Sequence, residues 1–450
     1  MQRILILITN DNFVRNYINT GAFNEIEKNF KCFFATNKEL KIKLKKKRMF
    51  TYSHDNDDKK KYGKICLKQT FLNHNISKSV NFLINKYLQN KIWWTEENFF
   101  RKIINIPKRI IVKFYKTFLY LFLSSFIGQL FFKNKKIKLK KNKELEYAID
   151  IANPDLVIIP TQGQDIGDYD MIRICKEKKI KTLSLIDNWD NLSSRVMLKP
   201  YADFFGVWGE QSKKHAIKIQ KIKKSKVSII GTPRFNEYKS FQKKSLFNFQ
   251  YILFFEAFGL TDNLDEILDR LEKILNTRLF KKYKLIYRPH PWRNDNNIIN
   301  IKKYKNIIID PQLKKNYLNK KFDSSIQPEL SYYPKLISNA KFIISAPTTM
   351  VIESLIFKKD TIVLGHKSNT VFDHYNHVVK LDHCDDIEKI DNLQLCWNLD
   401  DLYQICKILI LKKSKKKNLK NKNSLKLDYF IYQNKSSYGK DLLSLVNKIN

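Results

Sequence analysis

Short apolar runs alternate with longer segments of helical length along most of the chain. The runs are rich in Ile, Val, Leu and Phe and are continuous, without a polar residue at every second position. Continuous runs are typical of strands buried on both faces, and their alternation with helices predicts parallel sheets covered by helices. The expected strands form two series: 3–9, 31–36, 155–161, 182–189, 204–208 and 227–231, then 251–256, 284–288, 306–310, 341–345, 361–364 and 378–381.

The two series predict an α/β protein with two Rossmann-like, doubly wound domains that face a cleft. We assign residues 1–235 to the N-terminal domain and 251–410 to the C-terminal domain. The linker is placed at 236–250, which is polar and lacks periodicity, and 411–450 is expected to form a basic loop and a C-terminal helix. In open α/β sheets ligands bind outside the carboxyl ends of the strands, so residues directly after strands are the functional candidates.

A Lys-rich helical insertion is expected at 37–150, where the alternation breaks down. It contains an uncharged apolar run at 117–132, flanked on both sides by basic residues. Sixteen helical residues span about 24 Å, short of the roughly 30 Å hydrocarbon core, which disfavours a membrane-spanning helix. Two interpretations stay open: a helix lying on an anionic membrane surface, and a helix buried between the domains.

The charge of the chain suggests polyanionic partners at first sight. Its 450 residues include 84 Lys and Arg against 44 Asp and Glu, a formal net charge of +40. Only 12 of the basic residues are Arg, the better bidentate ligand of phosphates and bases, and they are dispersed. We therefore expect no nucleic acid partner, and attribute most of the charge to solvated Lys.

The cysteines and the N-terminus favour a reducing, intracellular compartment. Six cysteines are scattered without a C-x-x-C pair, and the opening MQRILILITN is typical of a buried strand and not of a signal peptide. The expected location is the cytoplasm, with peripheral attachment to the inner face of the cytoplasmic membrane as the variant that the basic apolar insertion suggests.

The first candidate site is Arg288-Pro289-His290-Pro291, directly after a predicted strand. The two prolines restrict the backbone around the histidine, which suits a side chain that must hold one orientation toward a ligand phosphate. Arg288 adds a cation beside it.

The second candidate site is the segment 345–353, where a strand is expected to end at Ser345 and a helix to begin near Thr348. Free amide groups at a helix start, together with the hydroxyls of Thr348 and Thr349, form a suitable site for a phosphate or diphosphate. Glu353, one turn further, could accept hydrogen bonds from ribose hydroxyls. An ordinary Thr cap with a solvent-facing Glu is the structural alternative.

The third candidate site follows a strand of the first domain and contains Asp187, Asn188 and Asp190. Either aspartate could act as general base toward an acceptor, and a solvated loop or a helix cap is the alternative. Gln164 follows the preceding strand and is expected to face the same cleft.

Metal and cofactor chemistry are not predicted. Four histidines fall within residues 366–383, but their spacing fits no familiar ligand pattern. The chain also lacks the G-x-x-x-x-G-K-[ST] and G-x-G-x-x-G motifs, which disfavours P-loop and nicotinamide chemistry.

The motifs RPHP and, further along, SAPTTMVIESL resemble the nucleotide-binding half of GT-B glycosyltransferases that carry an HP motif. These include CDP-glycerol glycerophosphotransferase-like proteins, bacterial sialyltransferases and capsule-type Kdo transferases. The segments FGVWGEQSKKHA and IIGTPRFN are similar to the end of the first domain in such surface-polysaccharide enzymes, and the resemblance extends over roughly 150–382.

The resemblance implies transfer from a nucleotide-activated donor held by the second domain. It implies that His290 contacts the donor phosphate, with Thr348 and Thr349 in the same region and Glu353 near the ribose. Arg234 follows the Thr-Pro pair of the first-domain motif and is a candidate for the same phosphate. His374 lies in a segment similar to an E-H-Y motif, with Asp373 in place of the Glu.

The function expected from these residues is a glycosyltransferase, or a glycerophosphotransferase-type enzyme, that modifies a surface-polysaccharide or lipid-linked acceptor. Two alternatives stay open. One is a basic binding protein without catalysis, which would need neither RPHP nor the Thr-capped helix. The other is a nucleotide-sugar epimerase on the same fold.

Overall fold

The structure is a computed structural model. It describes residues 1–42, 44, 46–89, 99–132, 139–160, 163, 165–238, 241, 244–257, 264–291, 300–319, 329–367, 374–412, 426–433 and 437–449. The chain divides into two compact units. Unit 1 comprises Met1–Asn10, Asn24–Ile230 and Leu442–Asn450, and unit 2 comprises Asp11–Phe23 and Gly231–Asp441.

Unit 1 is built on a parallel sheet. Among the described residues it has seven strands in the order β3-β2-β1-β4-β5-β6-β7. Its central strands are buried except at the first residue of some of them, as expected for strands covered by helices on both faces. The strands are β1 (Arg3–Ile8), β2 (Lys31–Asn37), β3 (Met49–Tyr52), β4 (Leu156–Ile159), β5 (Lys181–Leu185), β6 (Phe204–Val207) and β7 (Val227–Ile229).

The helices of the first half of the chain include those that cover this sheet and those of the insertion. They are α1 (Asp11–Phe13), α2 (Asn24–Asn29), α3 (Asn56–Leu72), α4 (Lys78–Gln89), α5 (Phe99–Ser124), α6 (Phe126–Phe132), α7 (Lys143–Ala152), α8 (Ile166–Glu177), α9 (Asn191–Ser194) and α10 (Glu210–Lys218). A π-helical turn, Val14–Ile18, follows α1 and belongs with it to unit 2.

Unit 2 repeats the architecture, with described strands in the order β10-β9-β8-β11-β12-β13. The strands are β8 (Gln250–Phe255), β9 (Tyr283–Arg288), β10 (Ile307–Ile309), β11 (Ile343–Ser345), β12 (Thr361–Leu364) and β13 (Leu393–Cys396). The helices are α11 (Leu264–Leu275), α12 (Pro311–Leu318), α13 (Tyr332–Asn339), α14 (Thr349–Ile356), α15 (His374–Val378) and α16 (Leu402–Leu411). The last helix, α17 (Tyr438–Ile449), begins in unit 2 and belongs to unit 1 from Leu442 onward. A 3₁₀ helix, Pro233–Tyr238, lies near the start of the unit.

Both sheets have the doubly wound strand order, in which the first strand of the unit lies beside the fourth. In unit 1 the order reverses between β1 and β4, and in unit 2 between β8 and β11. Every recorded pairing in both sheets is parallel. The predicted fold class, an α/β chain with two Rossmann-like domains and a helical basic insertion, is confirmed.

The structure corrects two of the predicted strands and adds two that were not predicted. The predicted strand 378–381 is wrong, because Val378 ends α15 and the following residues form a turn. The last strand of unit 2 is instead β13. The strand predicted at 182–189 ends at Leu185, and β3 was not predicted at all. The division between the units falls after Ile230, before the end of the predicted N-terminal domain at 235.

The apolar run 117–132 forms the end of α5 and all of α6, two helices that meet at a sharp bend. Leu123 packs with Phe71 and Leu72 of α3 and with Val80 and Ile84 of α4. Most other large apolar side chains of the run are exposed, which disfavours the interpretation of a buried helix. Within the described residues no single helix could span a bilayer, although Ile110–Ser124 and Phe126–Phe132, bent by 78°, have the length and composition when taken together.

Candidate functional site

The carboxyl edge of the unit 2 sheet brings together two of the predicted motifs. The last residues of β9, β8 and β11 lie side by side, with Phe255 paired to both Arg288 and Ser345. The residues that follow each strand therefore emerge at the same level, at the point where the strand order reverses. Neighbouring strands are about 4.8 Å apart, so the loops after β9 and β11 are separated by about 10 Å, with the loop after β8 between them.

His290 is held at this edge through its backbone. Its amide donates a hydrogen bond to Oε2 of Glu256 (3.2 Å), and the Tyr287 hydroxyl donates to the same oxygen (2.6 Å). Burial, followed by the positive charges of Arg288 and Arg15, lowers the pKa of His290 from 6.5 to about 4. The imidazole is therefore neutral at neutral pH, with one ring nitrogen that donates and one that accepts.

Arg288 is engaged inside unit 2. Its guanidinium is buried, forms an ion pair with Asp310 and donates to Oε1 of Gln312 (2.7 Å). The group also lies 4.4 Å from the ring centre of Tyr333. A buried cation paired in this way is costly to displace, so its observed contacts give it a positioning role, in which it ties the end of β9 to α12 and α13.

The amino terminus of α14 lies beside this edge. Thr348 is the N-cap residue, and its Oγ1 accepts a hydrogen bond from the amide of Met350 (3.2 Å). Thr349 is the first residue of the helix, and the Ser345 hydroxyl donates to the carbonyl oxygen of Ala346 (2.7 Å). The helix start predicted near Thr348 is confirmed. Amides at a helix start and the helix dipole favour an anion at this position.

Glu353 lies one turn into α14 and is fully buried. Its carboxylate accepts hydrogen bonds from Arg234 and from the Tyr238 hydroxyl. Burial and the Glu353 charge raise the pKa of Tyr238 well above its usual value. Both carboxylate oxygens thus accept hydrogen bonds inside unit 2, and the ribose contact stays a prediction.

The third predicted site lies at the carboxyl edge of the unit 1 sheet. Asp187, Asn188 and Asp190 follow β5 and precede α9. The loop is held by its own hydrogen bonds, in which the Asn188 amide donates to Oδ1 of Asn191 (2.8 Å) and Asn188 Oδ1 accepts from the Trp189 amide (3.0 Å). Oδ1 of Asp190 is buried and has no hydrogen-bond partner among the described residues. This environment favours Asp190 over Asp187 as the candidate base.

Two predicted site residues, Gln164 and His374, cannot be placed in a site. Gln164 lies outside the described residues, as does Asp373. His374 begins α15, but its side chain is likewise outside the description.

Three residues with distinctive environments were not predicted. Glu256 follows β8 directly and could have been found by the rule that selected His290. Arg15 lies in the π-helical turn of unit 2, and nothing in the sequence links it to His290. In unit 1, His54 follows β3 and its Nε2 lies 3.0 Å from Oδ2 of buried Asp170, but β3 itself was missed.

Metal binding has no support in the described part of the chain. No group of three or more His, Cys, Asp or Glu side chains there has an arrangement that could hold an ion. The residues at the unit 2 edge instead provide amides, hydroxyls and a neutral imidazole, which are ligands for a phosphorylated molecule.

Comparison with known structures supports the fold. A UDP-GlcNAc 2-epimerase from Methanocaldococcus jannaschii is similar over 99% of this chain and 99% of its own, with TM-score 0.50 and 13% identity. A structure from Listeria monocytogenes described as a UDP-N-acetylglucosamine 2-epimerase covers 100% of this chain and 97% of its own, with TM-score 0.52 and 10% identity. The glycotransferase of kitacinnamycin is similar over 100% of this chain and 99% of its own, with TM-score 0.50 and 9% identity. The chain has the GT-B type of fold.

Sequence comparison contributes little. No family model matches the chain. An uncharacterized protein of Methanocaldococcus jannaschii is 32% identical over 139 residues, which is 29% of this chain and 25% of that protein. The chain thus spans about a quarter of the length of the curated relative it matches.

Proposed function

We propose that the protein is a nucleotide-sugar-dependent transferase. It would move a group from a nucleotide-activated donor, bound by unit 2, to a surface-polysaccharide or lipid-linked acceptor. The solved structures of the same fold include a glycotransferase and epimerases named for UDP-GlcNAc, which supports a nucleotide-activated sugar as the ligand class.

The observation that carries the proposal is the environment of His290. The residue follows β9, next to the strand-order reversal between β8 and β11, and its backbone amide donates a hydrogen bond to buried Glu256. The start of α14 lies two strands further along the same edge, beyond the loop that follows β8. In doubly wound sheets this is where nucleotides bind, with their phosphates at a helix start.

Each part of the site has a role in the proposed reaction. The bond between the transferred group and the nucleotide's phosphate oxygen breaks, and its electron pair leaves with the nucleotide. The imidazole N–H of His290, the amides at the α14 start and the hydroxyls of Thr348 and Thr349 would stabilise the leaving phosphate. A carboxylate, Asp190 or Asp187, would take the proton from the acceptor hydroxyl as its oxygen forms the new bond.

A panel of nucleotides tests donor binding. We expect CMP, CDP, UDP or GDP derivatives of one base to raise the melting temperature of the wild type by roughly 5–10 °C at about 100 times Kd. His290→Ala, which removes a phosphate ligand, should lose about half of this shift or more, since a tenfold weaker affinity has that effect. The matched control is His74→Ala, at the end of α3 in unit 1, which should keep the full shift.

Equal shifts in wild type and His290→Ala would remove His290 from the site. If no nucleotide shifts the melting temperature, the proposed donor class is contradicted and the alternative of a basic binding protein is favoured.

The epimerase is the second candidate function, supported by the two epimerase structures of the same fold. Product analysis by mass spectrometry and NMR separates the two activities. An epimerase converts the nucleotide sugar to its isomer without an acceptor and leaves the nucleotide attached. A transferase releases free nucleotide in proportion to glycosylated acceptor, and the proposal fails if the isomer is the product.

A further inference from the structure

The helical insertion of unit 1 exposes a set of large apolar side chains, which we call the α5–α6 face. It consists of Ile111, Phe114, Phe118 and Leu121 on α5, and Phe126 and Leu130 on α6. These six side chains are between 58% and 81% exposed. Monomeric soluble proteins rarely expose a contiguous apolar surface made of so many large side chains, and larger surfaces of this kind mark an interaction site.

The exposure of the α5–α6 face follows from the sequence pattern of the helices and not from a poorly packed core. The four residues on α5 recur at three- and four-residue intervals, so they lie along one side of the helix. The opposite side is packed near the end of α5, where Leu123 is 2% exposed among side chains of α3 and α4 and Nζ of Lys116 lies 4.3 Å from the ring centre of Tyr87. The helices are thus anchored by one side and present the other.

The charge of the sequence that contains the face indicates its partner. Residues 98–143 contain thirteen Lys and Arg and no Asp or Glu. A second copy of the chain would bring an equal positive charge to the same surface, and like charges repel. An anionic lipid surface supplies both an apolar interior for the Phe and Leu side chains and phosphates for the Lys and Arg side chains.

We infer that the α5–α6 face docks the protein on an anionic lipid bilayer, with both helices lying in the interface. The bend of 78° divides the apolar segment into limbs of Ile110–Ser124 and Phe126–Phe132. At 1.5 Å per residue the limbs measure about 22 Å and about 10 Å, and neither reaches across a hydrocarbon core of roughly 30 Å. The inference does not depend on the donor chemistry of unit 2.

Vesicle flotation with the full-length protein tests the inference. We expect binding to vesicles of phosphatidylcholine and phosphatidylglycerol, weaker binding to phosphatidylcholine alone, and a decrease in binding at high salt. The double variant Phe118→Asp and Phe126→Asp should bind at least about tenfold more weakly, because two apolar anchors are lost and two negative charges are gained.

The control places the same change at two exposed apolar positions of unit 2, Leu318→Asp on α12 and Ile408→Asp on α16. This variant should bind vesicles like the wild type. Circular dichroism should show both variants folded, since all four side chains are solvent-exposed. The nucleotide-induced melting shift should be the same in both, so a failure of vesicle binding and a failure of donor binding are separate results.

Three outcomes would overturn the inference. One is equal vesicle binding by wild type and the Phe118→Asp/Phe126→Asp variant. Another is protein that stays in the membrane at high salt and needs detergent for extraction, which indicates a spanning helix pair. The third is a wild type that does not bind vesicles and forms a defined dimer in analytical ultracentrifugation. If the same variant abolishes that dimer, the partner of the face is a second copy of the chain.

Discussion

At the scale of single residues, the unit 2 edge depends on side chains that support one another. Glu256 fixes the His290 amide, and Arg288, paired with Asp310, fixes the end of β9. The sequence pointed to His290 and Arg288 through the RPHP motif, but their partners are distant in sequence. Glu256 and Asp310 are ordinary acidic residues after apolar runs until the strands are placed side by side.

The lowered pKa of His290 predicts a pH-dependent contribution to stability. The folded protein accepts a proton on this residue only near pH 4, whereas the unfolded chain accepts it near pH 6.5. Between these values the unfolded state binds more protons, so wild-type stability falls as the pH falls. Relative to His290→Asn, the wild type should lose up to about 3 kcal/mol of unfolding free energy between pH 7 and pH 4.

Urea unfolding of the two proteins across this pH range measures the difference. The difference should be constant above pH 7, because the histidine is then neutral in both states. A difference that does not change between pH 7 and pH 4 would show that His290 titrates normally.

At the scale of secondary structure, the apolar pattern predicted the central strands and missed two of the four described edge strands. The strands β3 and β13 close their sheets on one side, and their side chains are partly exposed. An edge strand with a half-exposed face has no continuous apolar run, so its sequence resembles a loop. The run 378–381 shows the opposite error, since four residues with three apolar ones fit a helix end as well as a strand.

The bend between α5 and α6 predicts opposite effects of one substitution at two glycines. A Cβ added to Gly128 would lie 2.7 Å from the Cα of Leu123, and backbone cannot move away as a flexible side chain can. At Gly63, inside α3, an added Cβ meets nothing within 4 Å. We expect Gly128→Ala to destabilise the protein by about 1–3 kcal/mol and Gly63→Ala to stabilise it by up to about 1 kcal/mol.

Thermal and urea unfolding of the two variants beside the wild type provide the measurement. If both substitutions stabilise the protein, or if both are neutral, the α5–α6 bend does not require a glycine at position 128.

At the scale of the whole molecule, the two units are interleaved along the chain. The segment Asp11–Phe23 belongs to unit 2, although it follows β1 of unit 1. It supplies an aromatic cluster in which Phe13 stacks on Tyr17 (4.3 Å between ring centres) and Tyr17 meets Tyr438 edge-on (6.0 Å). The same segment carries Arg15, whose charge acts on His290. Unit 2 is therefore incomplete as a continuous stretch of sequence.

This interleaving predicts how fragments behave. A fragment of residues 231–441 should lack a cooperative unfolding transition or be insoluble, because the apolar surface that Phe13 and Tyr17 cover is exposed. The same fragment with residues 11–23 attached by a flexible linker should regain the transition. A matched fusion carrying Phe13→Ser and Tyr17→Ser should not regain it.

Circular dichroism during thermal unfolding of the three fragments gives the comparison. A cooperative transition in the bare 231–441 fragment, with unchanged midpoint after fusion, would contradict the assignment of Asp11–Phe23 to unit 2.

The sequence by itself determined the class of fold, the number of domains and the position of the strongest candidate residue. These follow from local patterns: continuous apolar runs for buried strands, and a proline-framed histidine or a Thr-capped helix directly after a strand. The tertiary structure decided which residues support the site, how the chain is shared between the units and that the apolar run 117–132 is exposed. These properties depend on contacts between residues far apart in sequence, and a local pattern carries no information about such partners.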